Sequence, residues 1–421
     1  MKLRPRKCGI IDVKRLLLVL LFAGCSRGGG SGGAPPGGSG LPAGLPSHFG
    51  LGLSSSPTEL SWMTGSAVPW DYRYQYLAGG VNTGAGWSTW NAPAGQFATL
   101  YLDASKAAGI LPVFSYYQIV PSSPNPGNEN PDPKLTNAAT MNAYFADWKL
   151  LMQKCGAFAS PVIVHHEPDL WGYMEQMHGT NPASTTVSVA SSGFAEAAGF
   201  EDNARGFAKA LVALRDTYAP NALLAWHASA WATGTDVVMN NGDPVALGGQ
   251  VASFFNALAA DFDLVFFDPS DRDAGYYEFV VGDGGAHWWS NADFDLFRQY
   301  CATICAGTGR KGMLWQVPCG NTLYRSCNNT TDHYQDNRPE YFLQAGNEAH
   351  LADYKAAGII AILFGRGAGG PTTYTDAAGD GITNPAPING NNLTATAADD
   401  DGGFLRSAGG AYYAAGPLAI P

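Results

Sequence analysis

Residues Val162–Met174 read VIVHHEPDLWGYM, a β-branched run entering two histidines, a glutamate, a proline, an aspartate and a tryptophan. Groups of this kind at the end of an apolar strand can do acid–base chemistry. A carboxylate buried there costs several kcal/mol unless it is paired or protonated. A glutamate whose pKa burial has raised can protonate a leaving group near neutral pH. Strand side chains alternate in direction, which puts Ile163, His165 and Glu167 on one side and Val164 and His166 on the other. The competing role for Glu167 is an ion pair with Arg366 or Arg272 that ties two loops together.

Similar groups close other apolar runs. Tyr116-Tyr117-Gln118 ends one, Trp226-His227 another, Asp268 a third, and Trp315-Gln316 lies in a fourth. Asp268 ends LVFFD and is the best-placed second carboxylate, with Asp169, Asp271, Asp273 and Asp376 as further candidates. Asp271 and Asp273 also fit a solvated or capped loop.

The elements that must carry these residues are eight short apolar runs, at 48–53, 72–77, 110–117, 161–167, 222–228, 264–269, 313–318 and 359–365. Between them lie segments with apolar residues at helical spacing, clearest at 137–154, 203–218, 292–304 and 341–358. Eight strands alternating with helices predict an α/β fold, a (β/α)8 TIM barrel with long loops on the C-terminal face, where such barrels hold their active sites. The segments 54–71 and 78–109 read as loop-rich. The alternative is an open doubly wound sheet, against which no Gly-rich phosphate loop follows the first strand. The polar groups gather on the face with the long loops, at 118–136, 168–200, 229–247, 269–291, 319–340 and 366–410.

With the strands placed, His166-Glu167-Pro168 resembles the acid/base segment of the large clan of retaining β-glycosidases built on this barrel. The His-Glu pair with a tryptophan four residues on, Trp171, is similar in particular to the family 26 mannanase-type enzymes. The resemblance implies that Glu167 is the acid/base and that His166 orients the catalytic carboxylates. That clan has its nucleophilic glutamate at the end of strand 7, where this sequence has Gln316, and an amide cannot act as a carboxylate nucleophile.

The expected activity is therefore hydrolysis of a poly- or oligosaccharide, with Glu167 and Asp268 catalytic. His166, His227, Gln316, Trp171, Trp226, Trp315, Tyr117 and Asp169 are expected to bind substrate. Trp87, Trp90, Trp231, Trp288 and Trp289 also fall at or after strand ends. Two other classes compete: a non-catalytic carbohydrate-binding protein, motivated by Gln316, and a metal-dependent hydrolase on the same barrel. The histidines and acids of the strand ends are ligand-capable types, but HExxH is absent because Pro168 follows Glu167, and neither a metal nor a cofactor is expected. The Asp/Gly texture of 367–387 could hold a structural Ca²⁺. No GxSxG motif supports a serine nucleophile.

Residues 1–24 have a basic start and a short apolar core, the layout of a secretory signal peptide. LFAGC resembles the lipobox of bacterial lipoproteins, which implies lipidation of Cys25 and anchoring at a bacterial membrane or cell surface. The rival is plain cleavage and secretion. Residues 25–46 read as a Gly/Pro/Ser-rich tether, and 47–421 as one catalytic-type domain expected to act as a monomer. Without the first 24 residues the chain holds 18 basic and 34 acidic residues, a net charge of −16. That balance excludes nucleic acid, whose binding rests on clustered Lys and Arg. In an oxidising compartment a Cys319–Cys327 disulfide is expected, with Cys301–Cys305 as a second option and Cys155 left over.

Overall fold

The computed structural model describes residues 40–367 and 370–420. The segments expected to be a signal peptide and, with Cys25, most of a tether lie outside them. The described residues form one compact unit, and no helix among them is long and apolar enough to cross a membrane.

Eight parallel strands close a barrel in chain order: β1 Gly50–Ser54, β2 Tyr72–Leu77, β3 Leu111–Tyr116, β4 Val162–His166, β5 Ala222–Ala228, β6 Leu264–Phe267, β7 Lys311–Val317 and β8 Ile359–Phe364. The eight expected runs all become strands, and β1 pairs with β8 to complete the cylinder. The open sheet is thereby excluded. One principal helix follows each strand: α1 Leu60–Gly65, α2 Gln96–Ala108, α3 Ala138–Phe158, α4 Ala204–Tyr218, α5 Pro244–Leu258, α6 Asn291–Thr308, α7 Glu348–Ala356 and α8 Phe404–Ala414.

Local chemistry sets the helix ends. Asn137, Asn203 and Asp243 cap α3, α4 and α5 with their side chains, and Ser290 with Asp293 makes a capping box on α6. Gly109 and Gly309, both left-handed, stop α2 and α6. Within the loop-rich segment 78–109, Ala98, Tyr101, Leu102 and Ser105 bury one face of α2. One expectation is corrected. The predicted helix 341–358 is two, Arg338–Leu343 and α7, interrupted at Gly346 with φ 94°.

The alternation of the strands divides the core. Tyr72, Tyr74, Val113, Ile163, Ala225, Phe266, Met313, Trp315 and Leu363 fill the barrel. Phe114, Tyr116, Val164, Trp226, Leu314 and Ile362 pack outward against the helices. Gly52 is small because a Cβ there would meet Tyr72 Cβ and Leu363 Cδ2 at 2.6 Å. Leu41 and Leu45 pack against the barrel-interior cluster, so the tether predicted to end at Pro46 is already part of the folded domain at Leu41.

The five described cysteines are free and buried, so the expected Cys319–Cys327 bridge is absent, as is Cys301–Cys305. The Cys327 thiol instead accepts from Asn321 Nδ2 at 3.4 Å and donates to the Asp400 carbonyl at 3.8 Å. Burial pushes all five thiols up.

Candidate active site

At the C-terminal mouth of the barrel two hollows share Asp169, Asp268 and Asp271. One extends over His227, Trp231 and Trp289, the other over Tyr76, Tyr117, Trp315 and Gln316. Together they form a cleft with aromatic walls and an acidic centre.

Three non-glycine residues with left-handed backbone decide which side chains enter it: Glu167 (φ 47°), Asp169 (φ 72°) and Gln316 (φ 56°). Such backbone is rare outside glycine and clusters at functional sites. By strict alternation Glu167 would follow Ile163 and His165 to the barrel interior. Its amide still pairs with the Tyr116 carbonyl at 2.7 Å, but the positive φ turns the side chain back toward the β3 loop. There Glu167 is fully buried and accepts hydrogen bonds from Gln118 N (3.0 Å), Ile119 N (3.1 Å) and Tyr144 Oη (2.9 Å). Burial pushes its pKa up to about 8 against the pull of these donors. It pairs with neither Arg366 nor Arg272. Its carboxyl clamps the β3 loop to α3 and is committed to that structural network, a correction to its expected place in the cleft.

The neighbours of Glu167 move with it. His166 points outward, bonds Tyr144 Oη through Nε2 at 2.8 Å and packs against Trp148, Trp171 and Phe207. Trp171 lies on the helix Leu170–His178 and faces Phe207 and Trp226; it and Trp226 are buried between strands and helices. His166, Trp171 and Trp226 are thus packing residues instead of the expected substrate contacts, because apolar helix faces occupy the outward side of β4 and β5.

Asp169 takes the place the sequence offered to Glu167. It stands at the N-cap of the helix Leu170–His178, yet its side chain makes no capping bond. The carboxylate lines the cleft instead, with Oδ1 3.9 Å from His227 Nε2. Burial, then the charges of Asp271 and Glu129, raise its pKa to about 7. Asp268 accepts from Ser270 N at 3.0 Å. Burial first, then Asp271 and Asp169, raise it well above the carboxylate range. The Asp268 carboxyl is thus held toward its protonated form beside the charge of Asp271.

Beneath the acids runs a histidine chain. Ser115 Oγ lies 3.3 Å from His165 Nδ1, and His165 Nε2 lies 3.0 Å from His227 Nδ1. Burial lowers both histidines, His227 to about 3, so both are neutral. Run from the serine hydroxyl, the chain of donors leaves His227 Nε2–H facing the cleft with no partner of its own. Trp315 Nε1 is a second buried donor without a partner. Gln316 is turned inward and accepts from Tyr76 Oη at 2.6 Å.

The structure therefore brings Asp169, Asp268, His227, Gln316, Trp315 and Tyr117 to one cleft. The sequence reading missed Tyr76, although the alternation Tyr72-Tyr74-Tyr76 in YRYQYL carried the signal. Among the other tryptophans, Trp231 and Trp289 line the cleft, whereas Trp87 is buried and donates to Asp147 at 2.7 Å.

No family model matches the chain, and no curated protein matches it. Solved structures of similar fold include a modular endo-β-1,4-mannanase from Cellulomonas fimi, of glycoside hydrolase family 26, at 12% identity, 87% coverage of this chain, 70% of that chain and a TM-score of 0.48. The catalytic domain of a family 26 endo-β-1,4-mannanase from Bacillus sp. JAMB-750 gives 12% identity, 79% and 82% coverage and a TM-score of 0.44. Xylanase XynB from Paenibacillus barcinonensis gives 11%, 76%, 84% and 0.38.

Proposed function

We propose that the chain is a glycoside hydrolase acting on a poly- or oligosaccharide, with Asp169 as general acid and the Asp268–Asp271 pair as the second carboxylate unit. The observation that carries this reading is Asp169 raised to about 7 in an aromatic-walled cleft that it shares with that pair. Protonated below pH 7, Asp169 can deliver a proton to a glycosidic oxygen. The second unit, in which the charge of Asp271 stands against Asp268, can act as base or nucleophile. His227 Nε2–H and Trp315 Nε1–H supply donors for sugar hydroxyls, and Trp231, Trp289, Tyr76 and Tyr117 supply ring faces.

The test is release of reducing ends across a panel of β-1,4-mannan, xylan and galactan, with a pH profile on any substrate that is cleaved. Because the acid must be protonated, kcat/KM falls as pH rises through about 7. Glu129 lies outside the reacting groups but its charge helps to raise Asp169. Glu129→Gln therefore moves the alkaline limb to lower pH and leaves the plateau kcat unchanged. A limb that stays in place removes Asp169 as the acid. Sugar-induced tryptophan fluorescence change without any product would favour the carbohydrate-binding reading, which Gln316 at the end of β7 motivates.

We also infer that Cys25 is lipidated and holds the domain at a bacterial surface. The apolar run before it and the Gly-rich segment after it support this reading. Labelled palmitate should enter the expressed protein but not its Cys25→Ser variant, and equal labelling would remove the anchor.

A further inference from the structure

Above the barrel, the loop after β7 meets the long loop after β8 at His333, Asp380 and Asp400. One ligand atom from each lies within 4.8 Å of the others. His333 is 5% exposed and Asp400 is 1% exposed, while the Asp380 side chain is 39% exposed.

The hydrogen bonding around the histidine fixes its tautomer. His333 Nδ1 lies 3.2 Å from the Asp400 carbonyl oxygen, which can only accept, so the proton sits on Nδ1. That makes Nε2 the ring nitrogen left to ligate a metal, the far nitrogen being tied to a carbonyl as in histidine metal ligands. Nε2 is buried with no hydrogen-bond partner, although Asp380 Oδ2 stands only 3.2 Å away. Two ligand atoms at about 2.0–2.1 Å from one tetrahedral zinc stand about 3.3 Å apart, close to this separation.

The carboxylates are themselves held. Asp400 accepts from Thr373 Oγ1 at 3.0 Å and from Ala377 N at 3.3 Å. Asp380 accepts from Thr383 Oγ1 at 2.6 Å. Oriented carboxylates and a tautomer fixed through the far ring nitrogen are the outer-shell features of a metal site.

We propose that His333, Asp380 and Asp400 form a zinc-binding site that pins the loop after β8 to the loop after β7. One imidazole and two carboxylates match the N/O donor set of zinc, with a fourth tetrahedral position open at the exposed Asp380 side. Calcium takes six to eight oxygen ligands and no nitrogen, so the imidazole argues against the oxygen-only site suggested by the Asp/Gly texture of 367–387. The site is separate from the carboxylates of the cleft and stands whether or not these hydrolyse a sugar.

The test uses the purified chain stripped with EDTA and then given zinc. One equivalent of zinc should bind and raise Tm by about 3 °C at a hundredfold excess over Kd. Cobalt in place of zinc should give the visible absorption of a four-coordinate site. His333→Gln and Asp380→Asn should each lose the bound equivalent and the zinc-induced shift, while Asp380→Asn in EDTA melts with the wild type in EDTA because Asp380 is exposed. Stoichiometric zinc retained by both variants, no zinc bound by the wild type, or a Tm that responds to calcium and not to zinc would each overturn the site.

Discussion

Asp169→Asn lowers kcat by roughly 10²–10⁴, the usual contribution of a positioned general acid, with a smaller change in KM. Glu167→Gln leaves kcat within a small factor of wild type and instead weakens the fold. The contrast follows from where the two carboxyls stand. Asp169 makes no capping bond and faces the cleft, so an amide there removes the transferable proton without disturbing a structural partner. Glu167 spends its oxygens on Gln118 N, Ile119 N and Tyr144 Oη. Replacing one oxygen by NH₂ sets donor against donor in a fully buried site, a loss of about 1–3 kcal/mol for each buried group left unsatisfied. Initial rates and thermal melts of the two variants, measured side by side, check this. If folded Glu167→Gln is inactive while Asp169→Asn turns over normally, the roles are reversed and the family-like reading of His166-Glu167-Pro168 is right.

Arg338→Met destabilises the domain by about 3–5 kcal/mol, because it removes one partner of a buried ion pair and leaves the other charged. Arg338 and Asp336 are both 0% exposed and bond at 2.9 Å. Asp336 also accepts from Arg338 N and Ala274 N, each at 2.7 Å, and Arg338 donates to the His287 carbonyl at 3.1 Å. The guanidinium lies 4.3 Å from the centre of the Trp289 ring. The pair therefore links the loops after β6 and β7 beneath two cleft residues, His287 and Trp289. Nearby Asp273 is raised to about 8 by burial and then by the Asp336 charge, so it offers the unpaired carboxylate no counter-charge. Denaturant melts should show the loss in the single variant and partial recovery in Asp336→Asn/Arg338→Met, which removes both charges. Losses that simply add would mean that the two groups are not coupled.

How far the site was legible depended on the backbone at each strand end. Asp268 follows β6 without a left-handed residue, and alternation from Leu264 and Phe266 brings it to the cleft as expected. His227 does the same on β5. At β4 and β7 the parity argument fails, since Glu167 turns away and Gln316 turns in. A left-handed non-glycine residue leaves no mark in composition or periodicity. It is held only by partners distant in sequence, here the amides of Gln118 and Ile119 and the hydroxyl of Tyr76.

By itself the sequence determined the eight strands, their alternation with helices and the face on which polar groups collect. Apolar β-branched runs, capping residues and terminal glycines act over a few residues and carry that information locally. The tertiary structure alone decided that Asp169 and not Glu167 is offered to the cleft, that Trp171 and Trp226 serve the core, and that His333 meets two aspartates from the next loop. Each of these turns on a hydrogen bond or packing contact between segments far apart in the chain, whose donors and acceptors acquire partners only once the barrel has closed.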